Sequence, residues 1–157
     1  MRYLGIDPGT TLIGYGIVEE IDGSFRSVEF GVFRNSEGNS LSAKQATAAA
    51  LKDLITRHRP DRAAVEKLFF MNNKNTALPV SEMRGVIMLC LADAGLPVSE
   101  FTPLQVKQRI CGHGRAEKHQ VQKMVGLLLG IKEKITPDDA ADALAIALCG
   151  ATVPAPY

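Results

Sequence analysis

Arg2-Tyr3-Leu4-Gly5-Ile6-Asp7-Pro8-Gly9 is the stretch that decides the fold. Its apolar run is typical of a β-strand, and the Asp-Pro-Gly that follows it ends the strand in a turn. Two more strands, Leu12–Glu19 and Phe25–Arg34, follow with the turn Asp22-Gly23 between them. We therefore predict that the fold begins with three antiparallel strands.

The rest of the chain alternates helices and strands. A helix at Leu41–His58 and a strand at Arg62–Glu66 predict a right-handed crossover, which lays the fourth strand parallel to one already in the sheet. The remaining predicted elements are a helix at Thr76–Ala94, a strand at Leu96–Phe101, and helices at Pro103–Arg109, Ala116–Leu129 and Asp138–Cys149. The predicted fold class is α/β, with a mixed five-stranded sheet (three antiparallel strands, then two by crossover) flanked by helices. Residues 1–150 are expected to form a single domain and residues 151–157 a flexible tail.

The composition is that of an ordinary α/β protein with one core, since 46% of its 157 residues are hydrophobic. Its three cysteines, Cys90, Cys111 and Cys149, are scattered, which favours neither a zinc site nor a disulfide framework. The longest weakly polar run, residues 143–155, is too short to cross a bilayer. We therefore expect a cytoplasmic protein with no membrane partner.

Charge is unevenly distributed, although the net charge is only +1. Seven basic and two acidic residues between Phe101 and Thr136 give this stretch +5, so the rest of the chain carries −4. A basic face beside an acidic remainder suits a protein that holds a phosphate backbone near a metal. A lysine-rich helical surface that is merely solvated explains the same pattern, and charge alone leaves both interpretations open.

Two carboxylates stand at the ends of predicted neighbouring strands. Asp7 ends the first strand and Glu66 ends the fourth, and ligands gather at the carboxyl ends of strands in open α/β sheets. Each has a simpler explanation, because Asp before Pro-Gly begins turns well and Glu66 with Lys67 could form a surface turn. Taken singly, neither residue establishes a site.

Two further carboxylates, Asp139 and Asp142, lie three residues apart and so share one face of the last helix. Asp139 could simply favour the helix start, with the Thr136 hydroxyl as the cap. Asp142 interrupts an otherwise apolar helix, so its charge needs compensation. The four acids together predict an oxygen-rich cluster suited to Mg²⁺. Two such ions, about 3.5–4 Å apart, would clamp the attacking water and the leaving oxygen of a phosphodiester.

Five motifs in order resemble the RuvC family of bacterial Holliday-junction resolvases. They cover residues 1–150 and read Gly-Ile-Asp-Pro-Gly-Thr-Thr around Asp7, Glu-Lys-Leu-Phe-Phe from Glu66, Gln-Val-Lys-Gln around Lys107, Ala-Glu-Lys-x-Gln-Val-Gln around Lys118, and Asp-Ala-Ala-Asp-Ala-Leu-Ala from Asp139. The resemblance implies a ribonuclease-H-like fold and a metal-dependent endonuclease that makes paired, symmetric nicks in four-way DNA junctions, in recombination and repair. It implies a homodimer, the RuvA and RuvB branch-migration proteins as partners, and two Mg²⁺ ions per site, replaceable by Mn²⁺.

The same resemblance assigns residues to roles. The implied metal ligands and catalytic residues are Asp7, Glu66, Asp139 and Asp142. The implied DNA contacts are Lys107, Lys118 and a stacking aromatic residue, either Phe69 or its neighbour Phe70. Arg115, on the loop between the two lysines, is a further candidate contact. The implied dimer helix is Thr76–Ala94, with apolar surface from Val80, Met83, Val86, Ile87 and Leu91. Asp138 is read as a helix-start residue and His113 as a loop or phosphate contact.

Two other classes of protein share features of this sequence. The sequence Asp-Pro-Gly-Thr-Thr from Asp7 also resembles the phosphate loop of actin-like sugar kinases, but 157 residues leave no room for their two lobes. A junction-binding protein without catalysis would gain nothing from clustered negative charge, since phosphates repel it. Both alternatives therefore rank below the nuclease.

Overall fold

The computed structural model describes residues 1–68 and 74–154. The sheet contains β1 (Arg2–Asp7), β2 (Leu12–Ile21), β3 (Ser24–Arg34), β4 (Arg62–Glu66) and β5 (Val98–Phe101) in the order β3-β2-β1-β4-β5. The first three strands are antiparallel, while β4 is parallel to both β1 and β5. The predicted mixed sheet and its crossover are thus confirmed.

Helices cover both faces of this sheet. They are α1 (Leu41–His58), α2 (Lys74–Asp93), α3 (Pro103–Cys111), α4 (Lys118–Leu129) and α5 (Asp138–Ala151). Helices α1 and α2 pack with one side of the sheet around a core that includes Leu4, Ile6 and Ile87. Helices α3, α4 and α5 form the other core layer, with α5 lying against β1 and β2. No helix in the described part of the chain is both long and apolar enough to cross a membrane.

The ends of several helices differ from the prediction. Helix α2 begins at Lys74, two residues before the predicted Thr76, which places Pro79 in its second turn. Pro137, with no side-chain hydrogen bond, occupies the N-cap position of α5 that was expected for Thr136. Helix α5 also continues to Ala151, into the predicted tail, of which residues 155–157 lie outside the described part.

Candidate active site

Asp7 and Glu66 lie side by side at one edge of the sheet. Strands β1 and β4 are parallel neighbours whose pairing reaches Ile6 opposite Val65, so the next residue of each strand is the carboxylate. The side chains are close enough for the Asp7 carboxyl to hydrogen-bond with that of Glu66. Two acids 59 positions apart in sequence are therefore brought together by the crossover alone.

Helix α5 brings the other two acids, and glycines in the sheet allow it to come close. A Cβ at Gly14 would lie only 2.0 Å from the carbonyl oxygen of Asp139, and one at Gly5 would lie 2.0 Å from that of Ala143. Only residues without a side chain permit such contact. Gly14 is also the β2 partner of Asp7, so the first turn of α5 is seated directly beside the strand-end carboxylates.

Burial and mutual repulsion change the acidity of this group. Burial is the largest cause that raises the pKa of Asp7 well above its usual value, followed by the charges of Glu66, Asp142 and Asp139. Burial, and then the charge of Asp142, raises the pKa of Glu66 to about 7. Burial also raises the pKa of Asp142, against the opposing effect of Lys118. Asp7, Glu66 and Asp142 therefore lie close enough to influence one another's charge, and the charge of Asp139 acts on both Asp7 and Asp142.

Lys118, the first residue of α4, supplies a positive charge to this pocket. Its Nζ lies 3.2 Å from Oδ2 of Asp142 and 3.5 Å from Oδ2 of Asp138. Although burial opposes it, the two carboxylates raise the pKa of the Lys118 ammonium. The Gln122 side chain donates to Asp138 at 2.9 Å. Asp138 therefore holds Lys118 from outside the pocket, beyond its predicted role at the helix start.

A cavity of about 230 Å³ opens beside the acids. Glu66 and Asp142 line it together with Lys107 and Lys118, while apolar side chains of α3, α4 and α5 form the opposite wall. Carboxylates beside ammonium groups are an arrangement that can hold both cations and a phosphate.

The donor set fits a hard divalent cation, because every candidate ligand is a carboxylate oxygen. Within residues 1–68 and 74–154, however, no three acidic, histidine or cysteine side chains already surround one point as metal ligands do. The Asp7 and Glu66 carboxyls lie within reach of each other, and the Lys118 ammonium lies 3.2 Å from Oδ2 of Asp142. A cation bound among these acids would supply the positive charge that Lys118 supplies to Asp142 in this structure.

Comparison with known proteins agrees with this geometry. Residues 3–150 match the family described as crossover junction endodeoxyribonuclease RuvC. The chain belongs to the RuvC family. A crossover junction endodeoxyribonuclease RuvC of Moorella thermoacetica is 51% identical over 153 residues, which are 97% of this chain and 92% of that protein. One of Pelotomaculum thermopropionicum is 50% identical over 96% of this chain and 93% of its own length.

Solved RuvC structures share the fold. RuvC of Thermus thermophilus superposes with a TM-score of 0.87 at 36% identity, over 96% of this chain and 93% of that one. The same protein in complex with a Holliday junction substrate superposes with a TM-score of 0.89 over the same shares. The yeast mitochondrial resolvase Ydc2, 15% identical over 94% of this chain and 77% of its own, has a TM-score of 0.64 and so shares the fold alone. The ribonuclease-H-like architecture predicted from the RuvC resemblance is thereby confirmed.

The residues predicted to contact DNA are only partly brought together. Lys107 and Lys118 both line the cavity beside the acids. Arg115 and His113 are on the loop before α4, where Arg115 is exposed and is not part of the cavity lining. Phe69 and Phe70 lie outside the described residues.

The dimer surface predicted from the RuvC resemblance needs correction. Met83, Ile87 and Leu91 are fully buried in the chain's own core, so they offer no surface to a second copy. Val80 and Val86 are half-buried. The apolar side chains that α2 exposes are instead Leu78, 70% exposed, and Leu89, 63% exposed.

Arg84 is a site residue that sequence reasoning missed. Its Nε on α2 donates to the backbone carbonyl of Glu66 at 3.1 Å, and its guanidinium also pairs with Glu100 on β5. One side chain thus ties α2 to the ends of β4 and β5. No local pattern in the sequence distinguishes it from a solvated helical arginine.

Proposed function

We propose that this protein is a divalent-metal-dependent endodeoxyribonuclease that resolves four-way DNA junctions by paired, symmetric nicks. The observation that carries the proposal is the pocket of mutually repelling carboxylates, bordered by Lys107 and Lys118, in a chain of the RuvC family. The substrate class rests on the Thermus thermophilus relative, which was solved with a Holliday junction. Recombination and DNA repair are the processes in which such junctions are resolved.

The proposed reaction adds one water across one phosphodiester bond of a strand. RuvC nucleases depend on a metal, and the bound cation, Mg²⁺ or Mn²⁺ and two per site in our proposal, supplies an activated water and Lewis acidity. Asp7, Glu66, Asp139 and Asp142 would hold it. Lys118, once displaced from Asp142, is free to pair with a phosphate oxygen, which keeps the strand in the cavity as the water attacks in line.

Symmetric nicks require two such sites facing one junction, and a homodimer provides them. In our proposal the second copy covers the exposed apolar side chains of α2, Leu78 and Leu89. Action with the RuvA and RuvB branch-migration proteins, which present the junction, belongs to the same proposal.

Cleavage of an end-labelled four-way junction tests the proposal, with linear duplex as the comparison substrate and Mg²⁺, Mn²⁺ or chelator in the buffer. We expect the parent to nick only the junction and only with metal. Asp7→Asn should abolish nicking while junction binding persists, because the lysines that bind phosphate are intact. The matched control is Asp22→Asn, which removes a carboxylate from an exposed turn in the left-handed region (φ 50°) that Asn tolerates. Nicking by Asp7→Asn at a rate near the parent's would contradict the metal-site assignment.

A further inference from the structure

A second and larger cavity, of about 710 Å³, lies on the outer side of α4. One wall is a single face of α4, since its lining residues recur at helical spacing from His119 through Gln122 and Lys123 to Leu127. The other wall is the segment 130–135, which follows the helix. Gly126 leaves the two walls close together, because a Cβ there would lie 3.2 Å from the carbonyl oxygen of Ile131. We call this cavity the α4 groove.

The α4 groove is positively charged. Lys123, Lys132 and Lys134 line it and are exposed, whereas Glu133 is the one acidic residue of the lining. None of the three lysines forms an ion pair within the part of the chain that the structure describes. Their ammonium groups are therefore available to a ligand, although the charge of Lys134 also helps to lower the pKa of Asp138.

The α4 groove adjoins the active-site cavity. Gln122 lines the groove and donates to Asp138 at 2.9 Å. Asp138 in turn lies 3.5 Å from Nζ of Lys118, which lines the cavity beside Glu66 and Asp142. About one turn of helix thus separates Lys118, which lines the active-site cavity, from Gln122, which lines the groove.

We propose that the α4 groove binds the sugar-phosphate backbone of a junction arm, as a continuation of the strand held at the acids. This inference rests on the proposed function and extends the contact surface beyond Lys107 and Lys118. Lysine stems lie along apolar surface with their ammonium groups outward. The Leu127 and Ile131 side chains can therefore form the base of the groove while the lysine ammonium groups at its edge bind phosphates. An acidic protein would also suit the charge, but the continuity with the cavity favours the nucleic acid.

The salt dependence of junction binding measures the proposed contacts. We would follow a fluorescent four-way junction by anisotropy in chelator, so that nothing is cut, between about 50 and 200 mM salt. Each phosphate contact contributes about 0.9 to the slope of log affinity against log salt. Replacing all three lysines, K123A/K132A/K134A, should therefore make the slope shallower by about 2.7. Between about 50 and 200 mM salt the parent should then lose about 40-fold more of its affinity than the variant does.

Two comparison variants separate charge from folding. Lys→Arg at the same three positions keeps the charge and should keep the parent's slope, since guanidinium groups also bind phosphate. Lys52→Ala removes an exposed helical lysine from α1, on the opposite face of the sheet, and should change the slope by less than one contact. If the triple alanine variant is unfolded by circular dichroism, the single Lys123→Ala variant replaces it, with an expected slope change of about 0.9.

A triple alanine variant that is folded and binds with the parent's slope would overturn the proposal and leave the groove to an acidic protein partner. That result is distinguishable from failure of the proposed function. In the first case the parent still binds and nicks the junction, whereas in the second the parent itself does neither.

Discussion

Gly14→Ala tests whether the close seating of α5 on the sheet assembles the active site. The added Cβ would lie 2.0 Å from the Asp139 carbonyl oxygen and 2.6 Å from its carbonyl carbon. Ordinary contact begins at 3.4 Å, so from 2.0 Å the oxygen must retreat by about 1.4 Å. Both partners are backbone atoms of regular elements, and no side-chain rotation can relieve the contact.

The retreat has two measurable consequences. Overpacking of this kind costs about 1–3 kcal/mol of the free energy of unfolding, which for a domain of this size corresponds to a Tm lowered by about 2–12 °C. Because Asp139 and Asp142 move with the helix, away from Asp7, we expect nicking of a four-way junction to fall at least about 100-fold, the typical effect of a displacement near 1 Å. Junction binding in chelator should persist, because the displaced groups are carboxylates, which do not attract phosphates.

Gly85→Ala is the matched control, because a Cβ on this exposed residue of α2 meets nothing within 4 Å. Alanine is the better helix former there, by up to about 1 kcal/mol, so Tm should stay or rise. Because Gly85 is on the helix face of Leu78 and Leu89, this variant is a control for stability and not for nicking. A Gly14→Ala variant with both the Tm and the nicking rate of the parent would refute the argument that glycine contact positions the acids.

Three further predictions follow from the site. Since burial raises the pKa of Glu66 to about 7, the folded state holds a proton that the unfolded state releases at a pH of about 4.5. The Tm in chelator, measured by differential scanning fluorimetry, should therefore fall as pH rises from about 5 to 7. In Glu66→Gln the fall should be smaller. If Tm falls equally steeply in both proteins, Glu66 is not its source. Arg84→Ala removes the hydrogen bond to the Glu66 carbonyl and should lower kcat about tenfold with little change in KM. Arg84→Lys should recover part of the lost kcat. If neither substitution changes kcat, Arg84 does not position Glu66. Asp138 is exposed, so its ion pair with Lys118 contributes little. Asp138→Asn should therefore keep the nicking rate within about fivefold, whereas Asp142→Asn should abolish it. If Asp138→Asn and Asp142→Asn lowered the nicking rate equally, Asp138 would have to be assigned as a metal ligand.

Strand and helix order was predictable because it depends on local patterns. Alternating and apolar runs bounded by Asp-Pro-Gly, Asp22-Gly23 and Pro60 identified every strand, and the handedness of crossovers fixed where β4 lies. Helix ends were predicted less well, as at the start of α2, which is Lys74, and at Thr136 before α5. They depend on which neighbouring groups satisfy the first and last backbone hydrogen bonds, and those neighbours are brought there by the tertiary fold.

The dimer residues show the limit of pattern reasoning. Met83 and Ile87 are apolar residues four apart on one helix face, a spacing that is equally suited to the chain's own core and to a partner. Both are fully buried in the core. Which of two apolar faces a helix turns inward is decided by the shape of the sheet beneath it.

The sequence by itself determined which groups are present and which of them are unusual for their position: Asp142 in an apolar helix, and Asp7 and Glu66 at the ends of strands. Only the tertiary structure decided that these groups meet, that Lys118 lies against Asp142, and that Arg84 holds the Glu66 backbone. The reason is that residue type and spacing act over a few neighbours, whereas distances between elements are set by how closely their backbones pack. Here that closeness depends on the absence of a side chain at Gly5 and Gly14.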